Sequence, residues 1–392
     1  TDRHIGKNIE VFDSTLRDGA QGEGITFSVE DKLNIVKALD YVGADYIEAG
    51  NPGSNPKDLE FFKEIDLGSL RHAKLVAFGS TRRKDIKAED DENCLSLLSA
   101  ETEAVAVFGK TWDMHVTDII KTSLDENLNM ISDTVAFFKS RGKEVIFDAE
   151  HYFDGFKRNP EYAVKALMAA AEAGADRLVL CETNGGCLPF EVAEITAETC
   201  DIFKDSIIGI HCHNDSGCAV ANTVAAVQAG AEHVQGTYLG YGERCGNANL
   251  STIIPNLQIK LGYNCVPEKN LERFTRTARW ISEVANQPLY RGMPYVGGSA
   301  FSHKAGMHID AVTKESSSFE HVAPGSVGNE RRFLMSEVAG RGTVLKKIQK
   351  IAPVLTKDSA ETSEICKRVK QLEYEGYSFE AAEASFELLV KE

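Results

Sequence analysis

The sequence lacks several features that would assign it to a specialised class of protein. No apolar run approaches the roughly 20 residues that a membrane-spanning helix needs. Basic residues are scarce, because 43 Lys and Arg stand against 59 Asp and Glu, for a net charge of −16. Nucleic acids and anionic membranes bind through basic surfaces, so we expect no broad binding to either. An anionic small molecule remains compatible, since a few local cations can hold it.

The sequence also lacks Cys-x-x-Cys pairs and, in its first ten residues, the apolar core of a secretory signal. The nine cysteines are an odd number, scattered and without a Cys-x-x-Cys pair. Several lie in or beside apolar stretches: Cys94, Cys181, Cys187, Cys200 and Cys218. They predict reduced core residues and a reducing compartment, which favours the cytoplasm. The first ten residues are polar and do not begin with Met, so a trimmed leader stays the alternative.

The sequence does contain a repeated unit, a short β-rich run followed by a polar loop and a helical stretch. Eight candidate strands lie at 10–13, 45–48, 74–78, 104–108, 144–148, 177–181, 207–211 and 233–236. Gly43, Gly174 and Gly230 stand where a helix ends and a strand begins, a position that favours left-handed glycine. Strict alternation over about 250 residues predicts a closed (β/α)8 barrel of parallel strands. The alternative is an open doubly wound sheet, but no Gly-x-Gly-x-x-Gly turn follows the first strand.

The pattern changes near residue 271. Residues 271–284 predict one amphipathic helix, and 288–302, rich in Gly and Pro, predict an irregular linker. We therefore expect a catalytic barrel over 1–275, a linker and first subdomain over 276–332, and a mostly helical second subdomain over 333–392. The acidic end at 375–392 shows no terminating feature, so we expect that a further domain has been removed from this sequence.

Polar residues collect at the predicted C-terminal strand ends, where barrels place their active sites. His211 and His213 are two apart, so on a strand both side chains face the same side. With the carboxylate of Asp18, after the first strand, they predict a two-histidine, one-carboxylate metal site with open positions for a chelating substrate. These ligands suit Mn²⁺, Mg²⁺, Co²⁺ or Zn²⁺. The alternative is a strand with one packed and one hydrogen-bonded histidine.

Other residues at the same rim suggest acid–base and substrate-binding roles. Arg17 could stabilise a developing oxyanion beside Asp18, although an ion pair at a strand end is the alternative. Glu150 is a candidate general base or proton shuttle, with a structural carboxylate as the alternative. Four further residues are candidates for binding substrate: Gln21, Glu48, His115 and Thr183. A threonine in this place can instead cap a helix, and a histidine can merely pack.

Three motifs together resemble a known family. They are Ser-Thr-Leu-Arg-Asp-Gly at 14–19, His-Cys-His at 211–213 and Gly-Glu-Arg-Cys-Gly-Asn at 242–247. They resemble the acetyl-CoA-dependent Claisen condensing enzymes of the metallolyase-type TIM barrels, the 2-isopropylmalate, homocitrate and citramalate synthases. Longer stretches are most similar to the citramalate synthase branch, at 18–24, 52–57, 76–82, 108–112, 213–220 and 327–331. The resemblance implies an acyltransferase that makes citramalate and CoA from acetyl-CoA, pyruvate and water, in isoleucine and branched-chain amino-acid biosynthesis.

The resemblance also implies roles for the barrel residues. The metal would be bound by Asp18, His211 and His213, with Asn247 as a nearby fourth or weak ligand. Arg17 would stabilise the enolate oxygen. In the same way, Glu150 would take part in proton transfer, and Thr183 with His115 would hold the carboxylate of the keto acid.

Outside the barrel, the resemblance implies that His308 reaches the active site of a partner subunit, with His303 as a second candidate. A long linker bearing histidines also suits a homodimer with swapped linkers.

Two departures from the family pattern leave alternatives open. Glu182 stands where relatives commonly have Asp, and Phe319 stands where many have a tyrosine that assists catalysis. Phenylalanine has no hydroxyl, so His321, His308 or a water would substitute, or the rate would be low. The alternatives are a 2-isopropylmalate or homocitrate synthase, a lyase that uses Cys245, and a non-catalytic metal- or metabolite-binding regulator.

Overall fold

Eight parallel strands close into a barrel in which the first strand pairs with both the second and the eighth. A computed structural model describes residues 5–334, 341–379 and 382–392. The strands are β1 Glu10–Asp13, β2 Tyr46–Gly50, β3 Lys74–Ser80, β4 Ala104–Lys110, β5 Glu144–Glu150, β6 Arg177–Glu182, β7 Ile207–Cys212 and β8 His233–Gly236. The prediction of a (β/α)8 barrel is confirmed, and the open doubly wound sheet is excluded.

Several strands run further than the sequence pattern predicted. β3, β4 and β5 each continue two residues beyond their predicted ends, and the β4–β5 ladder extends to the pair Lys110 and Glu150. Gly79, Gly109 and the charged pair are poor strand formers, which is why the predicted ends were too early. Pairing with the neighbouring strands decides the outcome, and it places Glu150 in the ladder rather than in a loop.

The helices around the barrel are α1 Val29–Val42, α2 Pro56–Glu64, α3 Glu92–Ser99, α4 Leu124–Lys139, α5 Tyr152–Arg158, α6 Pro160–Glu172, α7 Pro189–Ile202, α8 Ala219–Ala229, α9 Leu250–Pro255 and α10 Phe274–Val284. The junction glycines Gly43, Gly174 and Gly230 have φ of 104°, 96° and 128°, as predicted. The prediction of a single helix over 271–284 is wrong for its first three residues. A 3-10 helix, Glu268–Arg273, follows Pro267 there, and α10 begins after it.

The N-terminal end of the barrel carries a network of paired polar groups, which we call the basal network: Glu10, Tyr46, Lys74, Glu144, Arg177 and His233. Each is the first residue of its strand. Arg177 donates to both carboxylate oxygens of Glu10 at 2.7 Å and also pairs with Glu144. Above this network the barrel is filled by apolar side chains such as Phe12, Val76 and Ile146. This end of a barrel serves stability.

The chain divides into two compact units, Thr1–Leu289 and Tyr290–Glu392. The second contains β9 Ser302–His303 paired with β10 Arg332–Phe333, and the helices α11 Gly306–Lys314, α12 Arg341–Ile351, α13 Ala360–Tyr374 and α14 Glu383–Lys391. The linker predicted to be irregular over 288–302 thus ends in a short strand. Residues 335–340 and 380–381 of the predicted second subdomain lie outside the described residues. The finer boundaries at 275 and 332 stay predictions.

Two expectations from composition can also be compared with the structure. All nine cysteines are free, and of the five predicted core cysteines Cys94, Cys181 and Cys187 are buried, whereas Cys200 and Cys218 are only partly buried. Within the described parts of the chain, no helix combines the length and the apolar character needed to cross a bilayer.

Candidate active site at the C-terminal end of the barrel

Asp18, His211 and His213 converge at the mouth of the barrel. Asp18 follows β1, His211 lies in β7, and His213 follows immediately after that strand. Asp18 Oδ2 lies 3.3 Å from His211 Nε2 and 3.8 Å from His213 Nε2. One possible ligand atom from each residue falls within 4.8 Å of the others, and all three residues are buried. The structure therefore brings together the three residues that the sequence predicted as metal ligands.

Asn247 lies beside this cluster, its backbone forming an isolated bridge with His213. Its Nδ2 donates to the carbonyl of Tyr241 at 3.1 Å, and its Oδ1 is buried without a hydrogen bond among the described residues. Only glycine leaves room for this side chain at position 242. Gly242 has φ of 156°, and a Cβ atom at this position would lie only 2.2 Å from Asn247 Nδ2. Two imidazoles, a carboxylate and an unpartnered amide oxygen fit a divalent cation.

His211 is oriented by a second row of buried polar groups. Its Nδ1 lies 2.8 Å from Gln235 Oε1, and Gln235 Nε2 donates to Asp148 Oδ1 at 3.0 Å. Because the amide nitrogen is used by Asp148, the amide oxygen must accept from His211, so Nδ1 carries a hydrogen. This leaves Nε2 to face Asp18, the arrangement that a ligating histidine needs.

Without an ion, the cluster is an internal ion pair. Burial acts to raise the pKa of Asp18, but Arg17 and His211 hold that pKa well below its usual range. Burial acts to lower the pKa of His211, whereas its hydrogen bond and charge interaction with Asp18 raise it to about 8. Burial and the charge of His211 lower the pKa of His213 to about 4. A metal ion at this place would displace the proton on His211.

Arg17 is held in a fixed position next to the cluster. Its Nε donates to Glu48 Oε2 at 2.6 Å, and its Nη1 lies 3.5 Å from Asp18 Oδ2. The guanidinium carbon is 3.7 Å from the centroid of the Phe78 ring. Glu48 is fully buried, also accepts from Ser14, and leaves Oε1 without a partner among the described residues. Burial opposes the charge of Arg17, but Glu48 and Asp18 raise its pKa further, so it stays cationic.

Glu150 ends β5 and forms an ion pair with Lys110, the residue opposite it in β4. Its side chain is about a quarter exposed, with a relative accessibility of 25%. Thr111 donates both its hydroxyl (2.7 Å) and its backbone N–H (3.3 Å) to the Glu150 carbonyl. The carboxylate therefore stands at the rim on a rigid element, accessible to a ligand.

Thr183 and His115 lie on either side of His151, which follows Glu150. The backbone N–H of His151 donates to Thr183 Oγ1 at 2.8 Å, which leaves the threonine O–H free to donate to a ligand. The ring of His115 stacks on Trp112 with centroids 5.1 Å apart and lies 4.3 Å from the ring of His151. Burial lowers the pKa of His115, and the nearby charge of His151 lowers it further. His115 is therefore neutral at pH 7.

Gln21 is exposed and lines a cavity of about 270 Å³ together with Arg17 and Phe78. A second cavity of about 610 Å³ lies at the ends of β3 and β4 and is lined by Phe108 and Lys110. The rings of Phe78 and Phe108 stack with centroids 5.2 Å apart. Of the predicted substrate-binding residues, Gln21 and Glu48 thus lie beside Arg17, whereas Thr183 and His115 lie against His151.

The two histidines predicted to assist catalysis from outside the barrel belong to the second unit. His303 is buried, and its Nε2 lies 3.1 Å from Glu320 Oε1. Glu320 also accepts two hydrogen bonds from Arg331, at 2.7 and 2.6 Å, so His303 is part of a buried ion-pair network. His308 is exposed, and its ring stacks on Phe319 with centroids 4.1 Å apart. Of the two, His308 is the one available to a ligand.

The sequence did not single out Gln235, Lys110 or the pair His151 and Asp154. A glutamine inside a short candidate strand was the one available signal for Gln235. Lys110 is close to Glu150 only because of the register between β4 and β5. Asp154 is close to His151 only because α5 begins between them.

Comparisons with known proteins agree with this geometry. The HMGL-like family model matches residues 8–281, and the homocitrate synthase post-HMGL domain-like model matches 295–376. An (R)-citramalate synthase of Aquifex aeolicus is 52% identical over 99% of this chain and 73% of its own length. A probable 2-isopropylmalate synthase of Methanopyrus kandleri is 34% identical over 93% of this chain and 70% of its own length. The solved HMG-CoA lyase of Bacillus subtilis has the same barrel, with a TM-score of 0.61 and 22% identity over 73% of this chain and 96% of its own.

Proposed function

Because the chain belongs to the HMGL-like family, and within it to the citramalate synthase branch, we propose that it is an acyltransferase that forms citramalate and CoA from acetyl-CoA, pyruvate and water. The observation that carries the proposal is the convergence of Asp18, His211 and His213 beside the fixed guanidinium of Arg17. Pyruvate as the acceptor is supported by the higher identity to citramalate synthases than to 2-isopropylmalate synthases.

A divalent ion, Mn²⁺, Mg²⁺, Co²⁺ or Zn²⁺, would be held by Asp18, His211 and His213, with Asn247 Oδ1 as a fourth ligand. When bound, it would polarise the keto carbonyl as a Lewis acid.

The side chains of the chain itself would do the remaining work. Glu150 would accept a methyl proton of acetyl-CoA, and Arg17 would stabilise the enolate oxygen, a contact typically worth about 3 kcal/mol. The free hydroxyl proton of Thr183 would donate to the carboxylate of the keto acid, with neutral His115 as a second contact. Gln21 would bind substrate from the cavity wall. Glu48 would act through Arg17, because its carboxylate holds Nε of that residue.

We also propose an assembly for the second unit, a homodimer in which the linker brings His308 to the partner's active site. The exposure of His308 supports this, and the buried pairing of His303 with Glu320 supports a structural role for that residue. The domain limits 1–275, 276–332 and 333–392, a cytoplasmic location and a place in isoleucine synthesis belong to the same proposal.

The test is a panel of keto acids assayed for CoA release with purified protein, acetyl-CoA and Mn²⁺. Pyruvate should give the highest kcat/KM, ahead of 2-oxobutyrate, 2-oxoisovalerate, 2-oxoglutarate and oxaloacetate. A pocket that discriminates by one methylene typically separates substrates by roughly 10- to 200-fold. Preference for 2-oxoisovalerate would contradict the acceptor assignment and favour a 2-isopropylmalate synthase. Bound metal and CoA without thiol release would favour a regulator.

A further inference from the structure

His151 occupies an unusual place next to the proposed base. It follows Glu150 directly and adopts φ of 57° and ψ of 33°, the left-handed region that a histidine rarely enters. Such a conformation costs on the order of 1–3 kcal/mol and is typically found at functional sites. The residue is only 9% exposed and lies at the C-terminal rim of the barrel, where α5 begins.

The imidazole of His151 is held by a carboxylate. Its Nδ1 lies 3.1 Å from Asp154 Oδ2, and that oxygen also accepts from Asn184 Nδ2 at 2.9 Å. Burial acts to raise the pKa of Asp154, but its bond with His151 and the nearby cations lower it, so Asp154 is ionised. Nδ1 of His151 therefore carries the hydrogen. Its Nε2 makes no hydrogen bond to any described residue.

The backbone does not require an imidazole here. His151 is the N-cap residue of α5, yet its side chain makes no capping hydrogen bond. Glycine or asparagine would adopt the left-handed conformation at lower cost. Packing fixes the ring instead, since its centroid lies 4.3 Å from that of His115 and 5.7 Å from that of Trp112. A histidine oriented by a carboxylate, with its second nitrogen free, has the arrangement of a general base.

The proposed reaction needs such a second group. Condensation leaves the methyl proton on Glu150, and the new alkoxide takes up one proton. Hydrolysis of the resulting thioester then requires a base for water and an acid for the departing sulfur. These steps are separate from the enolisation that Glu150 is placed to perform.

We propose that His151, oriented by Asp154, is the general base that activates the water that hydrolyses the citramalyl-CoA thioester. The water oxygen forms a bond to the thioester carbon while its proton moves to Nε2 of His151. The tetrahedral intermediate collapses, the C–S bond breaks, and the proton on Nε2 passes to the CoA thiolate. The step needs no further reactant than water, and it rests on the proposed function.

The experiment separates the two halves of the reaction in the full chain. Formation of citramalyl-CoA from acetyl-CoA and pyruvate is followed by acid quench and mass spectrometry, and hydrolysis is measured on citramalyl-CoA supplied directly. His151→Asn keeps a residue that tolerates the left-handed backbone. It should slow hydrolysis by about 10²- to 10⁴-fold while condensation changes by less than about threefold, so that the thioester accumulates. Asp154→Asn should show the same split to a smaller extent.

His72→Asn is the matched control, because His72 also pairs with an aspartate, Asp45, at 3.0 Å but is exposed and lies just before β3, at the opposite end of the barrel. It should leave both steps unchanged. Equal losses in both steps for His151→Asn, or undiminished hydrolysis, would overturn the role of His151. The proposed function would still stand, because the wild-type protein would still form citramalate. A wild-type protein that neither forms nor hydrolyses citramalyl-CoA would instead refute the proposed function, and the role of His151 with it.

Discussion

The two ends of the barrel both carry a ring of charged side chains, but they use them differently. In the basal network no buried polar atom of the six residues lacks a partner. At the mouth, the described residues include six buried atoms without a hydrogen bond: Asp13 Oδ2, Glu48 Oε1, His115 Nδ1, Glu182 Oε2, His213 Nδ1 and Asn247 Oδ1. An unsatisfied buried group costs about 1–3 kcal/mol, so the mouth is destabilised until ligands satisfy it. Charge at the base is paired within the protein, and under the proposed function charge at the mouth serves binding.

Removing a ligand at the mouth should have the largest effect. Asp18→Asn keeps the shape of the side chain but removes the charge that faces His211 and His213. We expect metal affinity, measured by calorimetry, to fall by more than the roughly 10- to 100-fold typical of outer-shell partners, and thiol release to be lost. The melting temperature should also fall, because the change breaks the buried ion pair of Asp18 with Arg17 and His211, so metal affinity is measured on protein shown to be folded. Metal binding of unchanged affinity would contradict the assignment of the site.

Breaking the basal network should lower the stability of the protein while metal binding by the folded protein is kept. Arg177→Met leaves Glu10 and Glu144 without their main cation, and loss of one partner from a buried pair costs roughly 3–5 kcal/mol. Denaturant unfolding should show this loss, while the metal affinity of the folded protein is unchanged. Lys74→Met is the control, since Lys74 pairs with Glu144 from a side chain that is 45% exposed and should cost only about 0–1 kcal/mol.

A smaller effect should follow from changing the residue that orients His211. Gln235→Leu removes the acceptor for Nδ1 and should lower metal affinity by roughly 10- to 100-fold. Gln258→Leu is a suitable control, because Gln258 Oε1 accepts hydrogen bonds from the backbone N–H groups of Cys265 and Val266, and its loss should reduce stability alone. Equal metal affinities in the two variants would show that Gln235 does not position the ligand.

The smallest effects should be opposite shifts of stability with pH. Burial acts to raise the pKa of Glu10, but Arg177 and His233 lower it from 4.5 to about 2. Glu10 therefore adds stability that is complete above pH 4.5 and lost as the pH falls toward 2. Burial raises the pKa of Asp13 from 3.8 to about 7, so ionisation of Asp13 removes stability as the pH rises between those values.

Melting temperatures measured across pH check both signs, at about 1 °C for each kcal/mol in a chain of this length. The deficit of Glu10→Gln relative to wild type should disappear toward acid pH. Asp13→Asn should match wild type in acid and exceed it in alkaline solution. If both variants changed the melting temperature in the same direction relative to wild type, the two ends of the barrel would not differ in how ionisation affects stability.

The sequence predicted the fold and the ligand cluster because both depend on short-range patterns. Alternating β and α segments, with a glycine at three of the junctions, indicated the eight strands, and the two-residue spacing of His211 and His213 placed both imidazoles on one face. Asp18 followed from its position after the first strand.

The remaining features depend on how distant segments of the chain pair, and the spacing of residues in the sequence does not predict this. Gln235 reaches His211 only because β7 and β8 pair, and Lys110 reaches Glu150 only because the β4–β5 ladder runs two residues further than predicted. His303 was predicted as a catalytic candidate from its motif, but its partner Glu320 lies 17 residues away. Such pairings are decided by tertiary packing.

The position of Glu150 in the β4–β5 ladder has a consequence for how this scaffold can change. Backbone hydrogen bonds to neighbouring strands hold the carboxylate, so insertions and substitutions in the surrounding loops can alter the acceptor pocket without displacing it. With Glu150 as the proposed base, proton abstraction and acceptor choice are separable traits. A lineage that starts from this barrel can explore new keto acids by loop variation while its carbon-acid chemistry is retained.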